Sequence, residues 1–186
     1  RQEFGDAALA VEQALAPASR VVALFTLAHG PSADCHSYFP EIYLNLPTAS
    51  MELPQPYRDT QAPALFGNVS PFDPQQFQTP EECGDALLAG KATGKYSPLE
   101  VAQWMSDIAA AAGENIAKAR QQLGAKASAP AFRRVEEDVL IQRGLALFFA
   151  GKLRSAVLWR IYAQTGNPAA GEAAIASYTA GRDAWA

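Results

Sequence analysis

The chain has 186 residues, 49% of them hydrophobic and 18% charged, with a formal net charge of −4. A chain of about this length buries roughly 70% of the surface its unfolded form exposes, enough for one domain without a metal or disulfide. The apolar content is too high and the net charge too small for disorder, and a pI near 5.2 supplies no basic field for nucleic acid. The longest uninterrupted apolar stretch, Val21–Ala28, falls well short of the roughly 20 residues a bilayer-spanning helix needs, so no transmembrane segment is expected. An opening at Arg1, with neither initiator Met nor signal peptide, reads as a piece of a longer or processed chain.

Residues 3–30 read as two helices. Phe4, Ala8, Val11 and Leu15 share one helical face, Pro17 interrupts, and Ser19 is placed to cap a second helix carrying Val21, Val22, Leu24, Phe25 and Leu27. Gly30-Pro31 is the stop.

Residues 31–79 differ in kind. Nine of the thirteen prolines lie between 31 and 80, interleaved with Tyr38, Phe39, Tyr43, Tyr57, Phe66, Phe72 and Phe77. Prolines at this density exclude regular helix, and the rings argue against a solvated linker. The expectation is a long ordered arm, extended and pinned to a helical body by its aromatics. Between 31 and 90 eight acidic residues face the single base Arg58, so the acidic charge is concentrated here.

From residue 79 onward the punctuation is helical. Thr79-Pro80-Glu81-Glu82 and Ser97-Pro98-Leu99-Glu100 are capping boxes with proline at the first helical position, and Asn167-Pro168 opens a helix without the glutamate. Gly90, Gly124, Gly151 and Gly166 read as stops, which predicts helices near 80–89, 98–123, 130–150, 152–165 and 168–184. Apolar residues recur at helical spacing: Val101, Trp104, Ile108, Ala112, Ile116, Ala119 and Leu123; then Phe132, Val135, Val139, Leu140, Leu147 and Phe148, with Gly144 as a point of close backbone approach. Leu153, Val157 and Ile161 follow, then Ala174, Ile175, Tyr178 and Trp185. The fold class is therefore all-α: a single domain over 1–186, a bundle of about six or seven helices with the arm at about 31–79 and the main bundle at 80–186.

Candidate chemistry is sparse. His29, Asp34, Cys35, His36 and Glu41 are the one dense group of possible ligands or acid–base residues, but their spacing matches no metal or catalytic motif. The plainer reading has His29 as a cation at a helix C-terminus and His36 hydrogen-bonded in a turn. Glu136, Glu137 and Asp138 point different ways around a helix and are expected to form a solvated face paired with Arg133 and Arg134. Glu41 and Asp59, in the arm, have nothing to bring them together as a glycosidase pair. There is no GxSxG and no phosphate loop; Gly90–Lys95 joins two helices, and Asn68-Val69-Ser70 matches the glycosylation sequon. Cys35 and Cys83 fit no zinc spacing, and either a disulfide or two buried thiols is compatible with the sequence. Tyr38, Tyr43, Tyr57 and Trp104 offer flat faces suited to sugar rings, against the plainer reading that they pin the arm. No catalytic residue, metal or cofactor is assigned.

Three strings carry a resemblance: His29–Ala33 through Tyr38–Pro47, Phe66–Pro74, and Lys95–Trp104. They resemble sequence found towards the C-terminus of large secreted bacterial proteins of glycoside-hydrolase type, beyond the part that resembles a catalytic domain. The similarity spans roughly 25–185 and includes no catalytic signature. It implies an accessory, extracytoplasmic helical region (secreted or periplasmic) that packs on, completes or positions the catalytic domain of its parent chain, with the arm as the contact surface either for that domain or for a glycan. His36, Tyr38, Glu41, Tyr43 and Asn45 are then the candidate substrate contacts. Two other classes stay open: a helical protein–protein interaction module, and an independent enzyme using the His29–Glu41 cluster. No 34-residue period supports a tetratricopeptide array.

Overall fold

The computed structural model describes residues 2–30, 48–49 and 65–185. After a 3-10 turn at Gly5–Ala7 come α1 (Ala8–Ala18), α2 (Val21–Ala28), α3 (Pro80–Leu88), α4 (Pro98–Leu123), α5 (Pro130–Thr165) and α6 (Pro168–Trp185). Two further 3-10 turns occupy Phe66–Asn68 and Gly124–Ser128. The all-α class is as the sequence predicts. Among the described residues the β pairing is a lone parallel bridge between Phe77 and Tyr96.

Both capping boxes form. The Thr79 hydroxyl accepts from the Glu82 amide at 3.0 Å while Glu82 takes the Thr79 amide at 3.0 Å. Ser97 and Glu100 repeat the exchange at 3.2 and 2.8 Å. Asn167 accepts from the Ala169 amide at 3.0 Å and opens α6. Ser19, by contrast, caps nothing: its hydroxyl donates back to the Ala16 carbonyl, and α2 starts from Arg20 with no side-chain cap.

The predicted stop at Gly151 is overturned. Segments 130–150 and 152–165 are one helix, α5, of 36 residues, so the bundle has fewer helices than its glycine punctuation suggests. Gly151 is a crossing point instead of a terminator. A Cβ there would sit 2.7 Å from the Ser177 carbonyl oxygen and 2.8 Å from the Gly181 Cα, so α5 and α6 meet backbone to backbone. The genuine stop is Gly166, in the left-handed conformation at φ 68°.

Two apolar cores are built on α4 and α5. One gathers Val21, Phe25, Phe66, Phe77, Val101, Met105, Phe149 and Leu153. The other gathers Ala7, Ala10, Val11, Ala14, Ala112, Ile116, Ala119, Phe132 and Val139. Polar ties lock the helices together at their edges. Arg154 on α5 donates to the Ala102 carbonyl (3.3 Å) and the Ser106 hydroxyl (3.1 Å) of α4, and Arg160 grips both Asp85 carboxylate oxygens of α3 at 2.8 and 2.9 Å.

Several faces differ from the helical-wheel reading. α1 buries Ala10, Val11, Ala14 and Ala18, whereas Leu15, expected inside, is exposed together with Leu9. Val22, Leu27, Leu140, Ile175 and Trp185 are exposed as well. The cause is close packing: alanines on α1 meet alanines on α4, and a leucine would hold the two helices apart.

Only residues 48–49 and 65–79 of the predicted arm are described. In the 65–79 stretch Phe66 and Phe77 are buried, while Phe72 is 74% exposed. Taken as one helical run, Gly5–Ala28 has the length and composition to cross a membrane, a test that Val21–Ala28 alone fails, and 33% of its most apolar window is buried in this fold.

Candidate functional site: a buried histidine–lysine clasp and an apolar ridge

The candidate contacts His36, Tyr38, Glu41, Tyr43 and Asn45 lie outside the described residues, as do Asp34, Cys35, Tyr57 and Asp59. His29 is the one member of the dense polar group the structure describes, and it is not a surface cation. It is 1% exposed at the end of α2. Its ring stacks between Phe25 (centroids 5.3 Å apart) and Phe66 (4.3 Å). The Nε2–H donates to the Phe66 carbonyl at 3.1 Å, leaving Nδ1 a buried acceptor with no partner among the described residues. Burial pushes the imidazole pKa down to about 4, against the opposing pull of the Phe66 hydrogen bond, and the nearby Lys152 charge lowers it further. At neutral pH His29 is therefore an uncharged structural group.

Lys152 completes the arrangement from α5. Its side chain is fully buried, with the ammonium 4.5 Å from the Phe66 ring centroid and 5.5 Å from that of Phe148. Phe66 is thus held between an imidazole on one element and an ammonium on another. Next to it the Gly30 amide donates to the Ser70 carbonyl at 3.1 Å. A Cβ at Gly30 would meet that oxygen at 2.6 Å, so only glycine allows this approach. The chain is clasped where it leaves α2 and where it returns at 65–70. The sequence reading missed Lys152, although its position three and four residues after Phe149 and Phe148 places it on their buried face.

The other distinctive feature is at the surface. α1 and α2 form a ridge whose outer residues Leu9, Leu15, Val22 and Leu27 are exposed, Leu9 to 61%. On one flank a groove of about 700 Å³ runs between this ridge and α5, floored by apolar side chains and rimmed by Glu12, Asp138 and Gln142. On the other, a groove of about 570 Å³ includes Leu24, Leu27 and Ile108 with Arg20, Trp104 and Asp107. The half-buried Trp104 meets the exposed Tyr96 ring edge-on at 5.0 Å, and Gln103 donates to Asp107 at 2.8 Å.

The carboxylates of α5 form no acid–base pair. Glu136 is buried and held by a bidentate Arg120 guanidinium from α4, so its partner is not the expected Arg133 or Arg134; Glu137 and Asp138 face solvent. Cys83 is a buried free thiol whose pKa burial raises to about 11, with the Glu100 charge adding to it. Among the described residues no group of three His, Cys, Asp or Glu side chains converges as a metal would require. Helices of 26, 36 and 18 residues do not pair into equal repeats.

What fold and surface define is a class: an all-α body with a clasped core and an apolar flank. No protein-family model, curated protein or solved structure matches the chain.

Proposed function

We propose that this chain is a helical accessory domain that docks onto another domain, and that it performs no catalysis of its own. The observation that carries this reading is the α1–α2 ridge. Leucines and valine stand in solvent along one helical edge, beside a groove with an apolar floor. Exposed apolar surface of this kind marks interaction sites more often than chemistry. The resemblance supplies the setting, the C-terminal region of a secreted or periplasmic bacterial glycan-degrading enzyme, with the catalytic domain of the same parent chain as partner. The test is the native open reading frame, followed by removal of these residues from the parent. A parent catalytic domain that loses solubility or thermal stability without the helical region supports the reading. A gene encoding little more than this chain, or a catalytic domain indifferent to its loss, refutes it.

A second reading, glycan contact, is favoured by Trp104. Its ring, next to Tyr96 and in a groove with Arg20 and Asp107, combines a flat apolar face with planar hydrogen-bonding groups. Quenching of tryptophan fluorescence by oligosaccharides, lost in Trp104→Ala, is the corresponding assay; an unchanged signal in the presence of a panel of neutral and acidic oligosaccharides removes this reading. An enzyme built on the His29–Glu41 group gains no support from His29, which is sealed in the core.

A further inference from the structure

The groove between the ridge and α5 states more about its occupant than that it is apolar. Leu9, Leu15 and Val22 offer the contact surface, and the residues around them are acidic: Glu12 from α1 and Asp138 from α5. Neither carboxylate is ion-paired among the described residues. Among the described residues no lysine or arginine lines this groove; Arg133 and Arg134 line the neighbouring hollow, which shares Asp138. The Gln142 side-chain oxygen, at the groove wall, is a buried acceptor without a donor among the described residues. Residues 8 to 18, the α1 part of the ridge, cover about 15 Å at 1.5 Å per residue, the length of roughly three helical turns.

We propose that this groove receives an amphipathic helix of the partner domain bearing an apolar stripe flanked by lysine or arginine. The inference rests on the docking reading but not on the glycan setting. An apolar stripe meets the leucines, cations meet the Glu12 and Asp138 carboxylates, and an N–H donor reaches Gln142. Charge argues against two other occupants. A second copy of this chain in an isologous dimer presents the same acidic rim to itself, and anionic lipid is repelled by carboxylates where membrane-surface helices carry lysine and arginine.

The test uses three model peptides of about 18 residues, titrated into the isolated chain and followed by NMR of the leucine and valine methyl groups. One is a helix with leucines at i, i+3, i+4 and i+7 flanked by lysine, the second carries glutamate in place of lysine, and the third is a scrambled lysine peptide of identical composition. The lysine helix is expected to bind about tenfold or more tightly than either control, with shifts confined to Leu9, Leu15 and Val22. The double variant Glu12→Gln/Asp138→Asn should abolish the preference for lysine over glutamate, and Leu15→Ser should weaken binding of both helices. Leu15 is exposed, so that variant keeps its fold, which circular dichroism verifies. Equal binding of the lysine and glutamate helices, equal binding of the scrambled peptide, no binding at all, association with phosphatidylserine vesicles, or a dimer broken by Leu15→Ser each overturns the proposal. A parent that proves not to be a glycosidase leaves a positive result standing, while a glycosidase parent does not rescue a negative one.

Discussion

Replacing Gly151 by alanine separates two readings of the same residue. As a plain interior glycine, Gly151→Ala should stabilise the protein by about 1 kcal/mol, the intrinsic preference of alanine over glycine in a helix. As a crossing point it should do the opposite. The new methyl carbon would lie 2.7 Å from the Ser177 carbonyl oxygen, 2.8 Å from the Gly181 Cα and 3.0 Å from the Gly181 nitrogen, all of them backbone atoms of α6 that no rotamer change can move aside. Relieving such contacts requires α6 to shift, and overpacking of this kind costs about 1–3 kcal/mol. Against the gain from propensity, the net effect is a loss of up to about 2 kcal/mol, or roughly 4–8 °C in Tm for a chain of this size. Gly144→Ala is the internal control. Its nearest neighbours are the Ala184 carbonyl and the Trp185 ring at 3.3 Å, near the free end of α6, where small adjustments suffice. That variant should lie within about 1 kcal/mol of the parent. Thermal and urea unfolding monitored by circular dichroism measure both. A Gly151→Ala protein as stable as its parent, or more so, would show that the helices do not cross there.

The clasp predicts a pH dependence. Because the His29 pKa in the fold, about 4, lies below its unfolded value of 6.5, the unfolded chain binds more protons between these values; stability from this group is complete above about pH 6.5 and is lost as pH falls towards 4. The loss approaches about 3 kcal/mol, and the difference in urea midpoint between pH 7 and pH 4.5 should shrink in His29→Gln; an unchanged difference would contradict a neutral buried imidazole. Cys83, buried with a pKa raised to about 11, should react with a disulfide reagent at pH 8 only as the protein unfolds, measured in a Cys35→Ser background; rapid modification of the native protein would place the thiol at the surface. Ser97→Ala deletes the acceptor for the Glu100 amide and should cost about 1 kcal/mol, whereas Ser19→Ala, at a hydroxyl that caps nothing, should change the urea midpoint little.

Where the chain stated its own local chemistry, the sequence was legible. The hydroxyl–proline–glutamate runs at 79–82 and 97–100 hold both partners of each cap within four residues, so reading them needs no tertiary knowledge. Glycine is ambiguous by contrast. Gly166 takes a positive φ and ends a helix, while Gly151 keeps its helix running and admits a neighbouring backbone, and only the position of α6 distinguishes them. Polar residues in the core were the least legible. His29 ends a helix and so reads as a dipole partner, and nothing local marks Lys152 as buried, because their shared contact, Phe66, is 37 residues from one and 86 from the other. The expected substrate contacts at 36–45 lie outside the described residues, and the ridge is hard to read from the sequence because Leu15, Val22 and Leu27 fall within apolar helical patterns.

The inversion on α1, small residues inside and large ones outside, bears on the kind of partner the ridge can hold. Completing the burial of an exposed leucine or valine stabilises a complex by about 1.5–3 kcal/mol at most, so Leu9, Leu15 and Val22 together contribute several kcal/mol gross. Association of two free bodies loses about 4–15 kcal/mol of translational and rotational freedom before any contact is counted. The ridge by itself therefore supports weak binding between separate molecules. Joined to its partner in one chain, the same surface works at an effective concentration of the order of millimolar, and contacts that give a separate helix only weak, measurable binding suffice for docking. A partner domain within the same chain, the one proposed above, is therefore favoured over a freely diffusing one. It also sets a scale for the rim: each exposed charge pair at Glu12 or Asp138 adds about 0.2–1 kcal/mol, enough to choose a lysine-flanked helix over a glutamate-flanked one but too little to hold it without the leucines.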